Sequence, residues 1–175
     1  MDSPHPAVYE QSSINYALQK EILLMCEIDQ ILRMQYFESG DEKIKDEYKR
    51  IDQLHYVRLQ EIINQYGWPG YKLVGENGSF SFWLLVQHTD DVLFQKKCLE
   101  LLKLAVLHND AKAENIAYLT DRILVNEGKS QVYGTQLMDE EGIPYPIEDE
   151  EHVNERRKEM DMSTLEEYLE WIPRK

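Results

Sequence analysis

The stretch SFSFWLLVQH, residues 79–88, decides how this chain is read. Phe80, Phe82, Trp83, Leu84, Leu85 and Val86 make it apolar on almost every side, so it is a central buried helix or a buried strand. The polar lead-in at residues 76–78 and the helix-forming continuation favour the helix. Upstream, Gly67-Trp68-Pro69-Gly70 ends the preceding segment, because proline and glycine both oppose helix continuation, and a short loop runs through Gly75.

Further out, residues 42–66 have helical spacing, with Ile44, Tyr48, Ile51, Leu59 and Ile62 on one side. Before them Glu38-Ser39-Gly40-Asp41 breaks a first helix, capped by Ser12 or Ser13 and running to about Phe37. Its seam is Leu18, Ile22, Met25, Leu32 and Tyr36. Two long helices joined by a short turn predict an antiparallel hairpin. Residues 1–11, with Pro4 and Pro6, read as a mobile polar arm, and residues 12–175 as a single helical domain.

Downstream, Thr89 or Asp90 caps a helix to about His108, with Val92, Leu93, Leu99, Leu102 and Val106 turned inward. Asn109-Asp110 interrupts it. A further helix over 111–126 carries Ile116, Leu119 and Ile123, and Gly128 is placed to end it. The texture then changes. SQVYGTQLM at 130–138, a turn at 139–142 and the segment 143–147 predict a small β-hairpin, with Pro144 and Pro146 confining the second strand to an edge. The acidic run 148–151 leads into a helix over 153–160. Ser163 caps a last helix ending near Trp171, with Pro173 beyond it. The expected fold is mainly α, a helical bundle with a small β-hairpin lobe near residues 130–147.

Composition narrows the function. The 175 residues hold 19 Lys+Arg against 33 Asp+Glu, a formal net charge of −14. That excess opposes nucleic acid and anionic membrane surfaces, which need a basic face. No window approaches ~18 consecutive apolar residues, so no membrane span is expected. The first residues lack the basic and apolar regions of a secretory signal. Cys26 and Cys98 sit inside apolar helical patterns, too few for a disulfide scaffold and too far apart for a zinc pair. Buried thiols in a reducing cytoplasm are the expectation.

In a bundle, the informative residues are polar ones at inward positions. Asp29 continues the first seam, with Gln30 beside it and Arg33 four residues on, either a surface ion pair or a buried one. His88 shares a face with Leu84, after Gln87 and before Asp90, and is either a capping residue or a general acid or base. Asp121 and Arg122 are adjacent, ~100° apart around a helix, and so face different neighbours. Gln131, Tyr133 and Thr135 would share one strand face, with Val132, Gly134 and Gln136 on the other.

Asp29-Gln30-x-x-Arg33, Gly67-Trp68-Pro69, Gln87-His88-x-Asp90, Tyr118-Leu119-x-Asp121-Arg122 and Gln131-x-Tyr133-Gly134-Thr135-Gln136 occur in this order in an uncharacterised bacterial family, a domain of unknown function. The chain resembles that family over about residues 14–170, including Arg156-Arg157 and Leu165-x-x-Tyr168-Leu169. It departs after Gly75, where Phe80, Phe82 and Trp83 are bulkier than the small residues of the family pattern. The resemblance implies no particular reaction, but it marks the same polar residues that position picked out.

Two functions follow. In the first, these residues line a pocket for a small polar or anionic ligand. His88, Asp121 and Tyr133 would do the chemistry, and Asp29, Gln30, Arg33, Gln87, Asp90, Arg122, Gln131, Thr135 and Gln136 would bind. No serine elbow, reactive cysteine context, phosphate-cradling glycine loop or metal-ligand motif is present. In the second, the polar network only holds the fold, and the acidic surface at residues 139–151 meets a basic protein partner, as adaptor or immunity proteins do.

Overall fold

A computed structural model describes residues 14–138 and 142–172. The predicted arm, its Ser12 or Ser13 cap, turn residues 139–141 and Pro173 lie outside the described residues. Among these are seven α-helices. Helix α1 (Tyr16–Ser39) starts at Asn15, whose side chain accepts from the Leu18 amide, and ends at Gly40 with φ +65°. Helix α2 (Glu42–Tyr66) is capped by Asp41. Ion pairs Arg33–Asp52 and Arg58–Glu21 match early α2 to late α1 and late α2 to early α1, so the hairpin is antiparallel as predicted.

The decisive stretch is helical. Helix α3 (Tyr71–Gln87) begins earlier than predicted and bends at Gly75, whose φ of +70° suits glycine. At this bend Gln19 Nε2 donates to the Val74 carbonyl at 2.8 Å, tying α1 to the kink. Beyond it α3 runs through the middle, against α1, α2, α4 and α5, which is why its residues are apolar nearly all round. Phe82 and Val86 are fully enclosed, and Phe80 alone of the aromatic run is exposed.

Helix α4 (Val92–Leu107) packs along α5 (Glu114–Asn126). Asp91 caps α4, in place of the predicted Thr89 or Asp90, accepting from the Phe94 amide at 3.0 Å. The Thr89 hydroxyl instead donates back to Val86 and closes α3. That register turns Phe94 and Cys98 inward and leaves the predicted core residue Leu93 at 78% exposure. Both cysteines are buried and free. Helices α6 (Val153–Glu159) and α7 (Leu165–Trp171) are the last of the described helices, with Thr164 rather than Ser163 capping α7 through a box with Glu167. None of the described helices is long and apolar enough to cross a membrane.

Among the described residues the predicted β-hairpin lobe is not formed. Two isolated bridges, Gln131 with Ile147 and Leu137 with Pro144, replace a ladder. The reason is where the backbone donors go. Asp121 accepts from the amides of Val132, Tyr133 and Thr135 and from the Thr135 hydroxyl, at 2.7–3.0 Å. The Gln131 side chain accepts from the Gln136 amide and donates to the carbonyls of Gln136 and Tyr145. Side chains have taken the amides of Val132, Tyr133, Thr135 and Gln136, Pro144 and Pro146 have none to offer, and the backbone bonds left between the two segments run from Gln131 to Pro146, Glu148 to Gln131, Tyr145 to Gln136 and Met138 to Ile143.

Candidate functional site

Helix α1 supplies the buried carboxylate of Asp29, which is 2% exposed and accepts three hydrogen bonds. Gln30 Nε2 donates to Oδ2 at 2.8 Å, Arg33 Nε to Oδ1 at 2.9 Å, and His88 Nδ1 lies 2.8 Å from Oδ2. Burial alone would raise the Asp29 pKa. The His88 hydrogen bond, with the His88 and Arg33 charges and Gln30, outweighs it and brings the value down to about 2. Asp29 is therefore ionised near neutrality, so His88 carries its proton on Nδ1 and donates it to Asp29. That fixes the tautomer and orientation of the ring and leaves Nε2 as the working nitrogen. Arg33 Nη2 also donates to both oxygens of Asp52, at 2.8 Å each, so its charge is shared between two carboxylates.

His88 stands where α3 ends, on the walls of two clefts. One, of about 350 Å³, lies between α3, α5 and the residues 135–137, lined by Trp83, Leu84, Gln87, His88, Tyr118, Arg122, Thr135, Gln136 and Leu137. The other, of about 260 Å³, is lined by Asp52, Gln53, Tyr56, His88, Thr89, Asp90 and Asp91. In it the Tyr56 hydroxyl donates to Asp91 Oδ2 at 2.5 Å.

Arg122 is the exceptional cation. Among the described residues it has no carboxylate partner. Burial, and next the Arg33 charge, lower its pKa, and only the phenols of Tyr145 and Tyr168 act the other way. Gln87 beside it is 5% exposed. With its amide oxygen accepting from the Leu119 amide at 2.9 Å and from the Trp83 indole at 3.3 Å, α3 is pinned to α5. The same indole donates to the Asn115 carbonyl at 3.1 Å. Two α3 side chains one turn apart thus hold a peptide N–H and C=O of α5 that are themselves one turn apart.

The loop over 131–137 is assembled from below. Asp121 and Gln131, both fully buried, organise its amides. Arg157 donates to the Tyr133 carbonyl at 2.7 Å and Arg156 to the Val132 carbonyl at 3.0 Å. The Tyr168 hydroxyl donates to the Thr135 carbonyl at 3.1 Å. Gly134, at φ +71°, sits so close to Leu165 and Ile147 that a Cβ would lie 2.8 and 2.9 Å from their methyls.

The predicted site residues therefore divide. Gln87, His88, Arg122, Thr135 and Gln136 meet on one cleft, with Asp29 behind His88, and Gln30 and Arg33 holding Asp29. Asp90 lies on the other cleft. Asp121, Gln131 and Tyr133 line neither, and all the hydrogen bonds of Asp121 go to the loop. Sequence reading missed Asp52 and His55. Both lie on the α2 face that continues through Leu59 and Ile62, the seam signal that revealed Asp29 on α1. It also missed Trp83 and Tyr118 as cleft walls, Trp83 because it sits in the apolar run read as core and Tyr118 because it entered only as part of the family motif.

The acidic residues 148–151 are exposed, and Asp149 pairs with His152 and Arg156. No curated protein and no solved structure matches the chain. A family model does match, over residues 16–173, which span every helix of the site and the loop that closes it. The chain belongs to that family, a family of unknown function, DUF6624.

Proposed function

We propose that this protein binds a small molecule in the cleft between α3, α5 and residues 135–137, and that His88 moves a proton there. The observation that carries the reading is the bond from His88 Nδ1 to the buried Asp29 carboxylate at the edge of a cleft that holds Arg122. A carboxylate on one imidazole nitrogen prepares the other to act as base or, once protonated, as acid. Arg122 supplies a positive charge for an oxyanion or an anionic substituent. Asp29 is a positioning residue, acting through His88, and Asp121 and Gln131 hold the loop wall.

The test is a ligand-observed NMR screen of small carbonyl and hydroxy compounds against the wild type and His88→Gln, repeated across the pH range in which histidine titrates. Expected are ligands that perturb the His88 ring signals and whose affinity changes with pH only in the wild type. Ligands that bind both proteins alike at every pH, or that never perturb His88, would overturn the reading.

A further inference from the structure

We infer that Arg122 anchors the carboxylate of a singly charged ligand whose apolar body lies against Trp83 and Tyr118. This rests on the cleft proposed above as the binding site and adds the chemical class of what enters it.

Gln87 lies beside Arg122 on the cleft wall. Turned so that its oxygen accepts from the Leu119 amide at 2.9 Å, with the Trp83 indole shared between that oxygen and the Asn115 carbonyl, the amide directs its nitrogen toward Arg122. Its Nε2 then stands 3.4 Å from Arg122 Nε, and two donors cannot bond each other. Gln87 thus gives Arg122 no acceptor, and the part-buried guanidinium on the cleft wall is left to find one in the cleft. Water can take that place in the free protein. An anion gains more there, because charge-assisted bonds are the stronger ones and because it compensates a partly buried cation.

Charge counting selects the anion. Arg33, the other cation nearby, is already spent on Asp29 and Asp52. The cleft therefore offers one uncommitted fixed positive charge, matched by a monoanion. A dianionic phosphate would leave a net negative charge in a chain already at −14. A guanidinium fork also suits the planar geometry of a carboxylate. The remaining wall is apolar and aromatic. Trp83 and Tyr118 meet edge to face at 5.8 Å, with Leu84 and Leu137 alongside. At about 350 Å³ the cleft has room for a ring or a short chain behind the carboxylate.

The experiment uses benzoate as the probe and inorganic phosphate as its competitor class, each titrated into isotope-labelled protein and followed by NMR. Expected are a shift of the Trp83 indole signal with benzoate and a weaker response to phosphate. Arg122→Met should weaken benzoate by about tenfold or more, the size of one lost charge-assisted pair. Arg122→Lys keeps the charge but loses the fork, and should also bind less tightly. It serves as the readout should the methionine variant not give a native spectrum. Equal benzoate affinity in wild type and the folded Arg122 variant overturns the anchor, as does a wild type that ignores benzoate. Phosphate binding tighter than benzoate overturns the carboxylate class. His88→Gln separates this inference from the proposed function. If it still binds benzoate through Arg122 and the wild-type affinity does not vary with pH, the anchor stands and the proton-transfer reading falls.

Discussion

Replacing Asp29 with asparagine tests the electrostatic centre of the site directly. The side chain keeps its size but loses the charge that faces His88 and Arg33. A carboxyl pKa brought from 3.8 to about 2 in the folded chain corresponds to about 2 kcal/mol of stability above pH 4. Leaving part-buried His88 without its carboxylate, and Arg33 with Asp52 alone, adds to that, so a total near ~3 kcal/mol is expected at neutral pH. For a chain of this size each kcal/mol moves the midpoint by about 2–4 °C, so Asp29→Asn should melt about 6–12 °C below the wild type. The sign with pH is fixed by the depressed pKa. The stabilisation is fully present above the unfolded pKa near ~4 and is lost as pH falls through about 2. The gap between the two proteins should therefore be wide at pH 7 and narrow steadily below pH 4. Thermal melts followed by circular dichroism measure it. A gap of a degree or less at pH 7, or one that does not narrow in acid, would refute the ion-pair account of Asp29.

Three further outcomes follow from the same geometry. Asp121→Ala should cost about 3 kcal/mol or more in denaturant unfolding, because it strips the acceptor from three backbone amides and a hydroxyl. Amide exchange should accelerate at Val132, Tyr133 and Thr135 before it does in α1, and uniform exchange would contradict the clamp. Gly134→Ala should destabilise by more than about 1 kcal/mol, since the φ of +71° disfavours a side chain and the new carbon would press on Leu165 and Ile147. An unchanged melt would show that the loop yields there. Burial pushes the Cys98 thiol up to about 12 and raises that of Cys26, so neither should react with a thiol reagent at pH 8 until the chain unfolds. Fast labelling of the native protein would contradict their burial.

Much of the site was legible because α-helices repeat. Asp29 announced itself as a polar residue at a seam position, and the structure buries it beneath His88, which lies 59 residues away in the chain. The same rule read along α2 finds Asp52 and His55, where the inner face runs on through Leu59 and Ile62. Residues 130–147 were legible as a departure from helix but not as what replaces it. Alternation and turn residues predict a ladder only if backbone amides are left to pair with backbone. Here the carboxylate of Asp121 and the amide of Gln131 intercept those of Val132, Tyr133, Thr135 and Gln136. The motif around Gln131 and Tyr133 holds the same donors and acceptors whether it builds a wall or does chemistry, so its spacing could not tell scaffolding from site.

The helices, their breaks and the central place of residues 79–88 were decided by the sequence. Helix bonds close within four residues, and burial of an all-round apolar segment leaves little choice. The tertiary structure alone decided the use of each polar group. Asp121 and Arg122 are neighbours in the chain, yet one turns to a loop's amides and the other to an open cleft. Those partners come from distant segments, and which of them a side chain meets depends on how helices cross rather than on any local pattern.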